Sequence, residues 1–178
     1  SWDSVIKESI EMGMSIINGL HDQVNPEFSK YIINDQQWIW DTRVPQFIPK
    51  IGSSKASQLS NKRVLMIGTD MAAGKMTVGL ELYSYLRNKN INVGFVATGQ
   101  VGITVTGAGI PLDAYKLDHA CGAVESAVMD QADKDVVIVE GQGSILHPGS
   151  SATLPLMRGT CPTHMILCHI ARNNSLRS

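Results

Sequence analysis

Residues 63–86 read RVLMIGTDMAAGKMTVGLELYSYL. A short apolar run of strand length leads into a glycine-bearing turn, then Gly74-Lys75, then a segment with helical periodicity. A strand that delivers the chain to a tight loop, followed at once by a helix, builds an anion cradle. The loop turns its backbone N–H groups inward, and the helix adds its free N–H groups and the positive end of its dipole. Gly68 and Gly74 would let the backbone approach the anion, and Lys75 would add a mobile point charge.

The usual form of this loop is G-x-x-x-x-G-K-[ST], in which the last hydroxyl ligates magnesium. This sequence departs from it twice. Five residues separate Gly68 from Gly74, and Met76 holds the hydroxyl position with Thr77 one step late. A one-residue shift turns a side chain by about 100° around a helix, which puts its reach to magnesium in question. A glycine turn with a surface lysine is the plain alternative. Thr69-Asp70 adds to the pattern, because GTDxxxGK resembles the variant phosphate loop of dethiobiotin synthetase-type enzymes, where the same five-residue spacing occurs.

Outward from this stretch the chain alternates. VGFVAT (93–98), DVVIVEG (135–141) and HMILCH (164–169) have the near-continuous apolar character of buried parallel strands. The spacing predicts a helix over about 75–89, with Val78, Leu82, Tyr85 and Leu86 inward and Glu81, Arg87 and Lys89 in solvent, and a second over 118–131. ATGQVGITVTGAG (97–109) reads as a glycine-punctuated loop in which Gln100 faces a ligand. Upstream, a helix is expected over 2–12, a short strand near 14–17, a helix over 25–33 entered through Asn25-Pro26, and a strand in QWIWDTRVP stopped by Pro45. Residues 45–61 have connector composition, and a boundary is placed near residue 50. The expected fold is α/β with a mostly parallel sheet: a P-loop-like three-layer domain over 51–178 and part of a Rossmann-like domain over 1–50.

Composition restricts the partners. Of 178 residues 43% are apolar and 17% charged, with a net charge of -1, so there is no electrostatic footprint for nucleic acid or an acidic membrane. No apolar run approaches the roughly 18 residues of a membrane span, and no basic-then-apolar leader pattern stands out; the expectation is a cytoplasmic protein acting on a small molecule. The three cysteines, Cys121, Cys161 and Cys168, lack CxxC spacing and read as free thiols. The five histidines lack the i, i+4 spacing of a helical metal pair, and no metal site is expected from them.

The second constellation is VEGQGSILHPG, residues 139–149. In open α/β sheets ligands gather at the carboxyl ends of strands, so Glu140 should lie beside the cradle if its strand adjoins the first. A carboxylate there can hold a metal, orient a lysine or act as a base; its plain role is to cap backbone N–H groups. His147 is the other candidate base, or a loop histidine bonded to backbone. Gln142, Gly143 and Ser144 are candidate substrate contacts, without the G-x-S-x-G elbow of a catalytic serine. His169 and Arg172 follow the last strand and are weaker candidates.

Taken together, GTDMAAGKMT, ATGQVGI, LDAYKLDHACGAVE, VEGQGSILHPG and LCHIAR resemble the D-glutamate N-acetyltransferase family. Its members were long labelled NAD-dependent epimerase/dehydratases or left without a function. In that family GKMT is the usual form, and the proteins are roughly twice this long, so the chain is expected to be a fragment or an incompletely traced molecule. The resemblance implies acetyl transfer from acetyl-CoA to the amine of D-glutamate, in a homo-oligomer. The pyrophosphate of CoA would take the place of a nucleotide's at Gly68, Thr69, Asp70 and Gly74 to Thr77, with no metal required. Under it, His147 or Glu140 is the expected base, the N–H groups of 141–144 are oxyanion donors, and Arg43 is a carboxylate clamp. Two other readings stay open. One is an ATP- and magnesium-dependent ligase or kinase using Thr77 and Glu140, and the other is a nucleotide-binding module without catalysis. A dehydrogenase is disfavoured, since no G-x-G-x-x-G follows a strand.

Overall fold

Parallel strands organise both parts of the chain in the computed structural model, which describes residues 2–171. The chain divides into two units, Ser1–Val44 and Pro45–Ser178. The first holds α1 (Trp2–Glu11), β1 (Ile16–Asn18), α2 (Asn25–Phe28), a 3-10 turn (Ser29–Tyr31) and β2 (Ile39–Asp41). β1 and β2 pair in parallel, with Ile16 opposite Ile39. Ile10, Val24, Phe28 and Ile39 form their core. The helix expected over 25–33 stops at Phe28 and tightens into the 3-10 turn. Its cap is also not Asn25, which lies inside the helix. The buried Asp41 carboxylate accepts from the N–H groups of Val24 (3.0 Å) and Asn25 (2.9 Å), a cap supplied from the end of β2.

The second unit carries β3 (Lys62–Gly68), α3 (Lys75–Asn88), β4 (Val93–Val96), α4 (Gln100–Thr106), α5 (Leu117–Met129), β5 (Val136–Val139), α6 (Thr153–Thr160) and β6 (His164–Cys168). Its four strands are parallel in the order β4-β5-β3-β6, with Val64 opposite both Ile138 and His164. Alternation along the strands sends side chains to two cores. Leu65, Val137 and Val139 meet Ala123, Val124 and Val128 of α5 and Leu156 of α6 on one face. Met66, Val93 and Ile138 meet Leu82, Tyr83 and Leu86 of α3 on the other. This is a three-layer α/β arrangement.

In the second unit α3 and α4 differ from expectation, and α6 was not expected at all. The inward face of α3 runs through Gly79, Leu82, Tyr83 and Leu86, while Val78 and Tyr85 are exposed. Gly79 explains the rotation: a Cβ there would lie 3.3 Å from both Met66 and Phe95, so the helix settles onto the sheet along its glycine. Residues 100–106, read as loop, form α4, closed by Gly107 in the left-handed region at φ 78°. Among the described residues no helix is long and apolar enough to cross a membrane.

Buried polar groups brace the second unit. The Arg63 guanidinium, at the start of β3, donates to the carbonyls of Leu59, Asn61, Thr160 and Cys161 and to the Asn61 side chain. Glu125 of α5 accepts from the N–H groups of Ser53 and Lys55, fixing the 3-10 turn Lys55–Gln58.

Candidate functional site

The loop between β3 and α3 is shaped by what glycine permits. Gly74 sits at φ 95°, in the left-handed region that side chains disfavour, although a Cβ there would meet nothing within 4 Å. As the residue before α3 it offers no side-chain cap, so the N-terminal N–H groups of this helix are left to a ligand. Gly68 is needed for space: a Cβ would lie 3.0 Å from both the Lys75 Nζ and the Asp70 carbonyl oxygen. Lys75 folds back over the loop and donates to that carbonyl at 3.0 Å. Burial pushes its ammonium below the usual lysine range, against the pull of Cys168, Asp70 and Glu140.

β5 adjoins β3, so the end of β5 meets the cradle, as the strand-end argument requires. Gly141 makes this approach possible, because a Cβ there would run into the Met66 carbonyl. Glu140 is 3% exposed. Its Oε2 accepts from the N–H groups of Thr98 (2.8 Å) and Gly99 (3.2 Å), immediately before α4. Burial raises its carboxyl above the usual range, with those two N–H groups and Lys75 opposing. Glu140 thus both caps backbone and faces the cradle. A cavity of about 410 Å³ is lined by Gly74, Lys75, Met76, Thr77, Glu140, Gln142 and Gly143, together with Met71, Ala72 and Gly141. That volume falls within the range of small-molecule sites.

Other candidates fall elsewhere. Ser144 is buried and serves the loop: its Oγ donates to the Thr69 carbonyl at 2.9 Å and accepts from the N–H groups of Leu146 and His147. Its own N–H donates to the Ser150 Oγ at 2.7 Å, so it is spent as an oxyanion donor, and 141–143 remain. His147 lines neither this cavity nor the one beside it. Its Nδ1 accepts from the Gly149 N–H at 3.0 Å, a contact within its own loop. Thr69 Oγ1 lies 2.9 Å from His169 Nδ1, and Asp70 Oδ1 accepts from the Met71 N–H, so both side chains shape the loop. Gln100 opens α4 and lines neither cavity. Arg43 belongs to the first unit, where its Nε donates to the Gly19 carbonyl at 2.7 Å. Arg172 lies outside the described residues.

The second cavity, about 470 Å³, shares Met71, Gln142 and Gly143 with the first. Leu112, Asp113 and Tyr115 help to wall it. Sequence reading assigned these three no role, although the block LDAYKLDHACGAVE carried part of the family resemblance.

Strand, glycine-bearing loop, lysine and helix, with a carboxylate at the end of the adjoining strand, define the P-loop class of α/β domain. The chain belongs to the DUF1611 family: residues 50–178 match its P-loop domain of unknown function and residues 1–45 its Rossmann-like domain of unknown function. The crystal structure of a family protein from Anabaena variabilis superposes with a TM-score of 0.92 at 41% identity, covering 99% of this chain and 52% of that one. Two curated relatives named D-glutamate N-acetyltransferase are similar over 99% of this chain. The one from a Pseudoalteromonas species is 35% identical and the one from Tritonibacter scottomollicae 33%. This chain spans about half of each, 53%.

Proposed function

We propose that the chain belongs to an N-acetyltransferase that moves an acetyl group from acetyl-CoA to the amine of D-glutamate or a similar amino acid. The names of the two relatives support the reaction class. The observation that carries the reading at this site is Lys75, held inside a cavity at a helix N-terminus without a side-chain cap and followed by Met76. Such a cradle favours a pyrophosphate and does not demand magnesium.

Acetyl-CoA supplies the thioester carbonyl and a thiolate leaving group. The chain's own groups do the rest. The N–H groups of the first turn of α3 and the Lys75 ammonium bind the phosphates. Glu140, made more basic by burial, takes a proton from the attacking amine as the C–N bond forms, and returns it to the departing sulfur as the C–S bond breaks. The N–H groups of 141–143 stabilise the carbonyl oxygen while it carries negative charge.

One observation favours a second reading: Thr77 and Glu140 line the same cavity, the pair that an ATP- and magnesium-dependent ligase or kinase would use. Calorimetric titration separates the two. Acetyl-CoA is expected to bind without metal, and Lys75→Ala to weaken it about 10- to 100-fold through loss of a charged hydrogen-bond donor. Binding of ATP only, and only with magnesium, would transfer the assignment to the second reading.

A further inference from the structure

Gln142 stands where the two cavities meet and lines both. Its backbone is tied down, since its carbonyl accepts from Thr153 Oγ1 at 3.2 Å. Its carboxamide is packed but not bonded. A Cβ on Gly99 would collide with the amide nitrogen, so the side chain lies directly over that glycine. The carboxamide nevertheless makes no hydrogen bond to the described residues. The same Gly99 gives its N–H to Glu140 Oε2 at 3.2 Å. One glycine therefore holds a carboxylate on its N–H and a carboxamide against its α-carbon, and the two groups converge at one cavity. A part-buried amide with unused donors is a group available to a ligand.

The charges in this cavity decide which ligand group suits it. Lys75 is the only basic residue that lines it among the described residues, and the phosphates engage it. A carboxylate arriving beside Glu140 must therefore be held by neutral donors. A second cation there would also lower the raised Glu140 carboxyl and weaken the base, whereas a carboxamide donates without that effect. In an α-amino acid the amine and the α-carboxylate share one carbon. A donor next to the base that holds the carboxylate thus turns the amine toward the base.

We propose that the Gln142 carboxamide binds the α-carboxylate of the amino-acid acceptor and so sets its α-amine against Glu140. The site then selects α-amino acids over amines without the adjacent carboxylate. This inference rests on the acetyl-transfer reading above, with Glu140 as its base.

The test compares acetyl transfer to D-glutamate and to its α-amide, in which a carboxamide replaces the α-carboxylate. Both are measured for the unaltered protein, Gln142→Leu and Gln142→Glu, with acetyl-CoA binding to each followed by calorimetry. Gln142→Leu should raise the KM for D-glutamate about 10- to 100-fold, with a smaller change in kcat and acetyl-CoA affinity within about twofold. Gln142→Glu should repel the α-carboxylate and accept from the α-amide. The preference for D-glutamate, as a ratio of kcat/KM values, should then fall at least about 10-fold. Retained acetyl-CoA binding also reports that each variant is folded. An unchanged KM in Gln142→Leu or an unchanged preference in Gln142→Glu would overturn the assignment while the acetyl-transfer reading stands. So would a loss in kcat alone, equal for both acceptors, because Gln142 would then act only by holding Gly99 and Glu140 in place. Loss of acetyl-CoA affinity in both variants would give Gln142 to the donor and overturn it too. If the unaltered protein acetylates neither acceptor, the acetyl-transfer reading itself fails and takes this inference with it.

Discussion

Ser144 shows how a residue that resembles a nucleophile is used as a fastener. Its hydroxyl joins the 141–150 loop to the Thr69 carbonyl, and so ties one wall of the cradle to the other. Replacing it with alanine strands two N–H donors and one carbonyl in a partly buried place. Ser144→Ala is expected to cost about 2 kcal/mol, a fall of roughly 4–8 °C in melting temperature. Thermal denaturation checks this, and a melting temperature within a degree of the parent would contradict the role. The same scale explains what the motifs could and could not disclose. Gly68, Gly74 and Lys75 were legible because a strand, two glycines and a lysine leave few other structures. The contact between His147 Nδ1 and the N–H of Gly149 is set by loop conformation and is invisible in a list of residue types. Arg63 and Glu125 gave no signal for the same reason: their partners are mostly backbone groups.

The helices separate what periodicity reveals from what tertiary contact imposes. α5 follows its own sequence pattern, and a helix over about 118–131 was expected where Leu117–Met129 stands. α4 does not. Gly102, Val105 and two threonines, Thr104 and Thr106, are poor helix formers, and the helix is held by Glu140 binding the N–H groups of Thr98 and Gly99 and by Gly107 at its end. Gly102 also lets the first turn approach the carboxylate, since a Cβ there would collide with it. α6 went unread because Pro155 and Gly159 break up a short stretch. Yet Pro155 lies in the first turn, where a proline is tolerated, and Gly159 faces α5. A Cβ on Gly159 would fall 2.5 Å from the Cys121 carbonyl oxygen and 2.6 Å from the Val124 Cβ. Gly159→Ala is therefore expected to destabilise the protein by about 1–3 kcal/mol through overpacking, although alanine is the better helix former. Denaturant titration would show a lower midpoint at unchanged slope. A higher midpoint would mean that α6 moves off α5 without cost.

At the scale of the whole molecule, one buried carboxyl should be visible in how stability responds to pH. Glu140 holds its proton more tightly in the folded chain than in the unfolded one. Its contribution is therefore most favourable below the ordinary carboxylate range and is lost as pH rises through its raised value. Glutamine at that position does not titrate. The melting temperature of the parent minus that of Glu140→Gln should thus fall as pH climbs above about 4, and parallel profiles would refute it. The α/β class and the parallel pairing were legible from strand runs bounded by turns. The lateral order of the strands was not, because four similar apolar runs fit several orders. That order bears on how the chain is made. As the polypeptide leaves the ribosome, β3 is the first strand of its sheet to emerge, yet its partners are β5 and β6, with Val64 against Ile138 and His164. β4, the next strand made, pairs with β5 and not with β3. The central strand therefore waits, apolar and without a neighbour, until most of the unit has been synthesised. An apolar strand left unpaired for that interval is exposed to aggregation during synthesis, however stable the finished sheet.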